Sequence, residues 1–437
     1  ESTVMVVERR DKRHLACQRT QLTEDDVLKQ TKSFEIPKQL VWQSYLSVKA
    51  NKGAAGCDGQ TIQSFEQNRD RNLYKIWNRL SSGTYFPPPV LEKRIPKENG
   101  KERILGIPTL SDRIAQGAIK RYAESHLDPI FHPDSYGYRP NKSAHHAIAM
   151  CKQRCWRFNW VLEVDISAFF DQVRHDLILK ALEHHQMPNW VMLYCQRWLE
   201  APMQNSVGEC QERKIGTPQG GVISPLLANL FLHYAFDVWI GKVFKGQLFE
   251  RYADDIVIHC RRMSEAVKIR ARLQQRMAEV GLALNEEKSK IVYIDTFQRR
   301  NVETVFTFLG YDFKVRTLKD NKGRRFRKCM PGASKKAMKK ITQVIKTWRL
   351  HRSHGANLLQ LAQRYNRTIH GWIEYYGKHW YRNFSYHLWT VLQSRLLKWM
   401  KMKYRINNKQ AQHRLNLIRK EKPRLFAHWY LLRAANE

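Results

Sequence analysis

Two adjacent carboxylates, Asp254 and Asp255, sit inside the otherwise apolar, β-branched run RYADDIVIHC at 251–260. Neighbouring carboxylates repel, and burying either one is costly. The segment LFERYADDIVIHC (248–260) therefore reads as two short strands around a turn at Ala253-Asp254. At such a tip consecutive side chains need not alternate between faces as they do along a strand. A second strand, NWVLEVDI (159–166), also runs into an aspartate, Asp165, with Leu162, Val164 and Ile166 alternating against Val161, Glu163 and Asp165. If these strands are neighbours in one sheet, three carboxylates converge. That cluster is unstable alone and suits Mg²⁺, a hard cation that takes oxygen ligands. Two such ions about 3.5–4 Å apart serve an in-line phosphoryl displacement.

Charge narrows the partner. The 437 residues hold 76 Lys+Arg against 40 Asp+Glu, a net charge of +36. From Lys322 to Glu437 there are 28 basic and 3 acidic residues, which is +25 of that total. A polyanion is implied, nucleic acid before an anionic membrane. The basic stretch also holds Trp348, Trp372, Trp380, Trp389, Trp399 and Trp429, so it reads as a folded part with its own core. The most apolar stretch, 222–244, is broken by Pro225, Asn229, His233 and Asp237 and reads as a buried helix, so no membrane partner is expected. The eight cysteines form no CxxC pair. Cys151 and Cys155 lack a second pair of ligands, so zinc is not expected, and the cysteines read as reduced thiols of a cytoplasmic protein.

The rest of the chain reads as α+β. Helices are expected over 36–50, 111–126, 143–155, 175–200 and 264–280, and a hairpin from VLEKRIP and ERILGIP with its turn at Glu98-Asn99-Gly100. Strands are expected near 290–294 and 305–316, and helices from 334 to 404. In 335–350, Met338, Ile341, Val344, Ile345 and Trp348 make an apolar stripe that leaves the lysines outward. The adjacent histidines 145/146 and 184/185 point about 100° apart on a helix and are poor co-ligands.

The order of motifs resembles the reverse transcriptases encoded by group II introns, which also act as maturases. The residues that carry this are ANKGAAGCDG (50–59), RIPKENGKERILGIPTLSDR (94–113), SYGYRPNKSAHHAI (135–148), VLEVDISAFFDQVRHDLI (161–178), GTPQGGVISPLLANLFL (216–232), RYADDIVI (251–258), FTFLGYDF (306–313) and GWIEYYG (371–377). The resemblance implies a right-hand polymerase of fingers, palm and thumb, with a helical C-terminal thumb/maturase part and a short basic DNA-binding extension. The divisions it implies are an N-terminal extension at 1–34, fingers with an N-terminal reverse-transcriptase extension and parts of the palm at 35–155, a palm with the YADD hairpin at 156–320, a thumb/maturase part at 330–404 and the basic extension at 405–437.

Residue by residue, the resemblance implies that Asp165, Asp254 and Asp255 are the catalytic carboxylates, with the Ile166 carbonyl completing the shell of two Mg²⁺ ions. Lys97 and Arg103 match residues that grip the incoming triphosphate, as two cations six apart on a hairpin can do. Phe170 matches a steric gate against the ribose 2′-hydroxyl, and Gln219 in TPQGG lies beside the nascent base pair. Gly220 and Gly221 would let the backbone approach primer and template. Arg139 would contact the template or brace the fingers. The implied partners are dNTPs, an RNA template with a DNA primer, a DNA target and group II intron RNA, in the bacterial cytoplasm or on the nucleoid. Many members carry a C-terminal HNH endonuclease; no such motif follows 422–437, so target-strand cleavage by this chain is not expected. A splicing cofactor without polymerase activity, or a domesticated relative in repair or defence, would share these motifs.

Overall fold

The structure, a computed structural model, describes residues 34–96, 100, 102–297 and 302–431. The segment 1–33 and Lys97 lie outside the described residues. The chain divides into two compact units, one of residues 34–131 and 168–231, the other of 132–167 and 232–431.

The first unit is mostly helical around a small sheet. β1 (Val90–Pro96) and β2 (Glu102–Ile107) form the expected antiparallel hairpin, with Leu91 opposite Ile107. β4 (Met203–Gln204) and β5 (Cys210–Gln211) extend it in the order β2-β1-β4-β5. Helices Lys38–Asn51, Arg69–Ser81 and Leu110–Leu127 pack on one another. The stretch expected as one helix over 175–200 is two, His175–His184 and Asn189–Glu200. Gln186 takes a left-handed φ of 51°, and Pro188, which has no N–H to continue the ladder, precedes the second helix.

In the second unit β3 (Trp160–Val164) is central. β7 (Asp255–Cys260) and β8 (Lys290–Tyr293) flank it antiparallel, and β6 (Leu248–Tyr252) closes the sheet in the order β6-β7-β3-β8. Apolar side chains fill both strands at the centre, with Val161, Leu162, Ile256, Val257 and Ile258 buried. The helix Met263–Glu279 covers the sheet with Ala266, Ile269, Leu273 and Met277. The stretch 222–244 forms Ser224–Leu232, a π-helical His233–Asp237 and Val238–Val243. Among the described residues no helix is long and apolar enough to cross a membrane.

A second sheet follows. In β9 (Phe306–Phe308) and β10 (Tyr311–Lys319), Leu309 and Gly310 both take positive φ, 51° and 78°, as a tight two-residue hairpin requires. β11 (Arg325–Ala333), not foreseen in the sequence, pairs along the whole of β10. The helices Lys335–Thr347, Leu358–Tyr376 and Tyr381–Tyr404 then build a core on tryptophan. Trp348 stacks on Tyr365 at 4.2 Å and on Trp372 of GWIEYYG at 5.6 Å. Trp399 and Trp429 are fully buried, while Lys335, Lys336, Lys339, Lys340 and Lys346 face solvent. The helix Asn408–Glu421 contributes Ala411 and Leu415 to the same core.

One buried ion pair anchors β6. Arg251 donates to both Asp237 oxygens, at 2.7 and 2.6 Å, with neither side chain exposed. Burial opposes ionisation of Asp237, but the guanidinium overrides it and holds the carboxyl below its usual range. Asp237→Ala, which strands a buried cation, is expected to lower the unfolding free energy by about 3–5 kcal/mol in urea titrations.

Candidate active site

The register explains how Asp165 meets the turn. β3 and β7 pair through Val164↔Ile256, so Asp165, the next residue, falls level with Asp255. β6 and β7 close on Tyr252↔Asp255, leaving Ala253 and Asp254 as a two-residue loop with Ala253 at φ 56°. That turn is held from outside. Tyr136 N donates to Arg251 O at 2.8 Å and Arg251 N to Asp134 O at 3.0 Å. A Cβ on Gly137 would lie 2.5 Å from Ala253 N, so only glycine fits there. Arg139 donates to the carbonyls of His132 and Ser135, at 2.9 and 3.0 Å, and so braces the loop that supports the turn.

Asp255 feels the other two carboxylates. Crowding by surrounding protein, then the charges of Asp254 and Asp165, push Asp255 up to about 7, against the pull of Lys288. Asp255 is nevertheless open to solvent, so the crowding is that of a cleft floor and not of a sealed core. Lys288 is a site residue the sequence did not single out: its Nζ donates to Asp165 Oδ2 at 3.0 Å. Glu163, two residues before Asp165 on the same strand face, is a fourth acid; burial chiefly lifts it to about 7, with Asp255 and Asp165 adding. Ile166 bridges Leu284, but the bonds run from Ser167 N to Ala283 O and from Asn285 N to Asp165 O. The Ile166 carbonyl takes no part in that bridge. An all-oxygen donor set with surplus negative charge, partly balanced by one ammonium, fits a hard divalent cation.

In the first unit the structure brings Arg103, Gln219 and Asp171 together. Arg103 Nε donates to Gln219 Oε1 at 2.7 Å, and Gln219 Nε2 to Asp171 Oδ1 at 3.2 Å. They line a cleft of about 360 Å³ with Glu92, Arg213 and Lys214. Phe170 is half-buried on the short helix Phe169–Gln172, whose Phe169 is core against Phe231. Phe170 O accepts from Thr217 N at 2.7 Å, fastening that helix to the TPQGG loop. Gly220 has φ +125°, and its missing Cβ would lie 2.4 Å from Gly106 O on β2. The glycine therefore answers to the protein's own strand.

A buried network sets the far end of that loop. Asp112 accepts from Tyr85 Oη at 3.0 Å, Trp198 Nε1 at 2.7 Å and Gln116 Nε2 at 2.9 Å. Gln116 Oε1 in turn accepts from the backbone N–H groups of Val222 and Ile223, at 2.7 and 3.2 Å.

Residues 95–313 match the family model described as reverse transcriptase (RNA-dependent DNA polymerase). Residues 338–416 match the group II intron, maturase-specific domain. Protein YkfC of Escherichia coli (strain K12) is 32% identical over 302 residues, covering 60% of this chain and 77% of that protein. The group II intron-encoded protein LtrA of Lactococcus lactis subsp. cremoris is 29% identical over 286 residues, 64% of this chain and 45% of LtrA, under half its length. The fold and these matches define a reverse transcriptase, an RNA-directed DNA polymerase by class. Within that class the chain belongs to the group II intron-encoded reverse transcriptase/maturase family, which works with a divalent metal.

Burial lifts the Asp112 carboxyl to about 6 against its three donors and Arg113. Unfolded, it releases its proton near pH ~4. Between those values the folded state binds more protons, so stability falls as pH rises, by up to about 3 kcal/mol. Asp112→Asn cannot titrate, and its amide opposes the Gln116 amide. Urea midpoints of the variant are expected to lie below the parent's and to lose that part of the slope between pH 4 and 6.

Proposed function

We propose that this chain copies RNA into DNA from dNTPs at the Asp165/Asp254/Asp255 cluster, and that it binds group II intron RNA as a maturase promoting splicing and mobility. The convergence of the three carboxylates at one end of the β3–β7 pair is the observation that carries this reading. We read 35–155 as fingers with the N-terminal extension, 156–320 as palm, 330–404 as thumb and 405–437 as a DNA-binding extension, behind an extension at 1–34.

Asp165, Asp254 and the Ile166 carbonyl would hold two Mg²⁺ ions, which supply an activated 3′-hydroxyl and charge stabilisation of the departing pyrophosphate. Asp255 adds negative charge that favours the occupied state, while Lys288 balances Asp165 in its absence. Arg103, with Lys97, would bind the triphosphate. Its guanidinium is presented on an exposed strand edge, with Gln219 rather than a carboxylate as its partner, so the charge is not cancelled. Phe170 would exclude a 2′-hydroxyl by bulk, its backbone fixed by Thr217. The exposed lysines of Lys335–Thr347 suit a phosphate backbone, with the opposite face of the helix committed to the core.

Asp254→Ala is expected to reduce dNTP incorporation on a primed RNA template by several orders of magnitude while RNA affinity stays within a few-fold. Near-parental incorporation would refute the site. Phe170→Ala is expected to raise ribonucleotide incorporation relative to deoxyribonucleotide; unchanged selectivity in single-nucleotide extension would remove Phe170 from the gate.

A further inference from the structure

The second unit contains a second polar cluster, buried, with a different donor chemistry. Cys151 lies on the helix Ala144–Arg154, Glu250 on β6 and His259 on β7. One ligand atom from each lies within 4.8 Å of the other two, and all three residues are buried. Leu248 pairs with His259, so Glu250, two residues along β6, shares the sheet face of His259. His259 Nε2 and Glu250 Oε2 are 2.6 Å apart. His259 Nδ1 is buried and makes no hydrogen bond. Two more thiols adjoin the group: Cys155, at the helix end, interacts electrostatically with Cys151, and Cys329 with Cys155. All three cysteines are free.

Charge balance limits what can occupy this place. Arg154 bonds both Asp134 oxygens at 2.8 Å and Glu250 Oε1 at 2.7 Å. One guanidinium faces two carboxylates, a surplus of one negative charge in a region with little water, and an uncompensated buried charge is expensive. Tyr136, which donates to Asp134 at 3.3 Å, is neutral. Two occupants restore neutrality. One is a proton on His259, held against Glu250 Oε2. The other is a divalent cation accompanied by one thiolate.

We propose that Cys151 Sγ, Glu250 and His259 form a structural binding site for a borderline-soft divalent cation, zinc by its mixed sulfur, nitrogen and oxygen donors. The donor set separates it from the hard-cation cluster at Asp165: a thiolate and an imidazole select zinc over magnesium. Uptake would displace the proton shared between His259 and Glu250 and the Cys151 thiol proton, and it would leave the cluster's net charge at zero. The ion would tie the helix Ala144–Arg154 to β6 and β7, the two strands that present the Ala253-Asp254 turn. The spacing of Cys151 and Cys155 in the sequence gives no hint of it, because the other donors come from strands about a hundred residues on.

The test uses the full chain. Metal content after purification in zinc-supplemented medium is measured by mass spectrometry, and Co²⁺ is titrated into metal-free protein. Near-stoichiometric zinc and a thiolate-to-cobalt charge-transfer absorption are expected from the parent. Cobalt bound at the carboxylate cluster gives no such band, so the two sites are distinguished. Cys151→Ser is expected to lose the band and weaken zinc binding roughly tenfold or more, whereas Cys195→Ser, buried in the other unit, keeps both. A parent protein with no zinc and no charge-transfer band has a proton as its only occupant, and that result overturns the proposal. So does a Cys151→Ser variant that binds zinc as the parent does. The parent's cobalt spectrum decides the matter even if the variant fails to fold.

Discussion

Asp165, Asp254 and Asp255 repel one another at the end of a strand pair whose centre is mostly apolar, and much of the second unit is arranged to hold them there. The β3–β7 register puts Asp165 level with Asp255, so a slip of one residue would turn Asp165 to the other face of the sheet. The Ala253 φ of 56° makes the turn tight, and Gly137 lets the supporting loop approach it to backbone contact. Lys288 supplies a cation at Asp165. Burial chiefly, with the charges of Asp254 and Asp165 adding, lifts Asp255 to about 7, and a divalent cation would favour its ionised form.

The parts that were legible in the sequence are those whose signal is local. The adjacency of Asp254 and Asp255 within a strand pattern identified the hairpin, and the alternation around Asp165 identified its partner strand. The hairpin of β1 and β2, the helix Leu110–Leu127 and the apolar stripe of Lys335–Thr347 were likewise readable from period and punctuation. The parts that were not legible depend on residues distant along the chain. Nothing in NEEKSK marks Lys288 as the partner of an aspartate 123 residues earlier. β11 is half-exposed and rich in arginine and lysine, so it has no apolar alternation to read; its pairing with β10 decides its conformation. Gly220 lies against Gly106 O of β2, an approach that no local signal in TPQGG announces.

The Asp112–Gln116 pair illustrates a related point about the first unit. LSDRIAQG reads as the start of an ordinary helix, yet its Asp and Gln are buried and face inward. Gln116 can accept from Val222 and Ile223 only because its amide donates to Asp112, whose own orientation is fixed by Tyr85 and Trp198. A loop rich in glycine has high conformational entropy, and without such anchors Gly220 and Gly221 would not hold one conformation. The network is fully satisfied at each oxygen, which is what makes a buried carboxylate tolerable there.

The distribution of charge follows from the same need to keep like charges apart. The basic excess after Lys322 would be self-repulsive if the segment were compact without a strong core. Stacked and buried tryptophans supply that core: Trp348 against Tyr365 and Trp372, and Trp399 and Trp429 deep within the helices. Large rings bury much apolar area per residue, so few positions are needed inside and most can carry lysine or arginine outside. The acids, 37 of 40 of which precede Lys322, serve in internal pairs such as Asp237–Arg251 and in the cluster at β3 and β7. A polyanion meeting this surface finds few competing carboxylates there, which favours binding through the backbone irrespective of sequence.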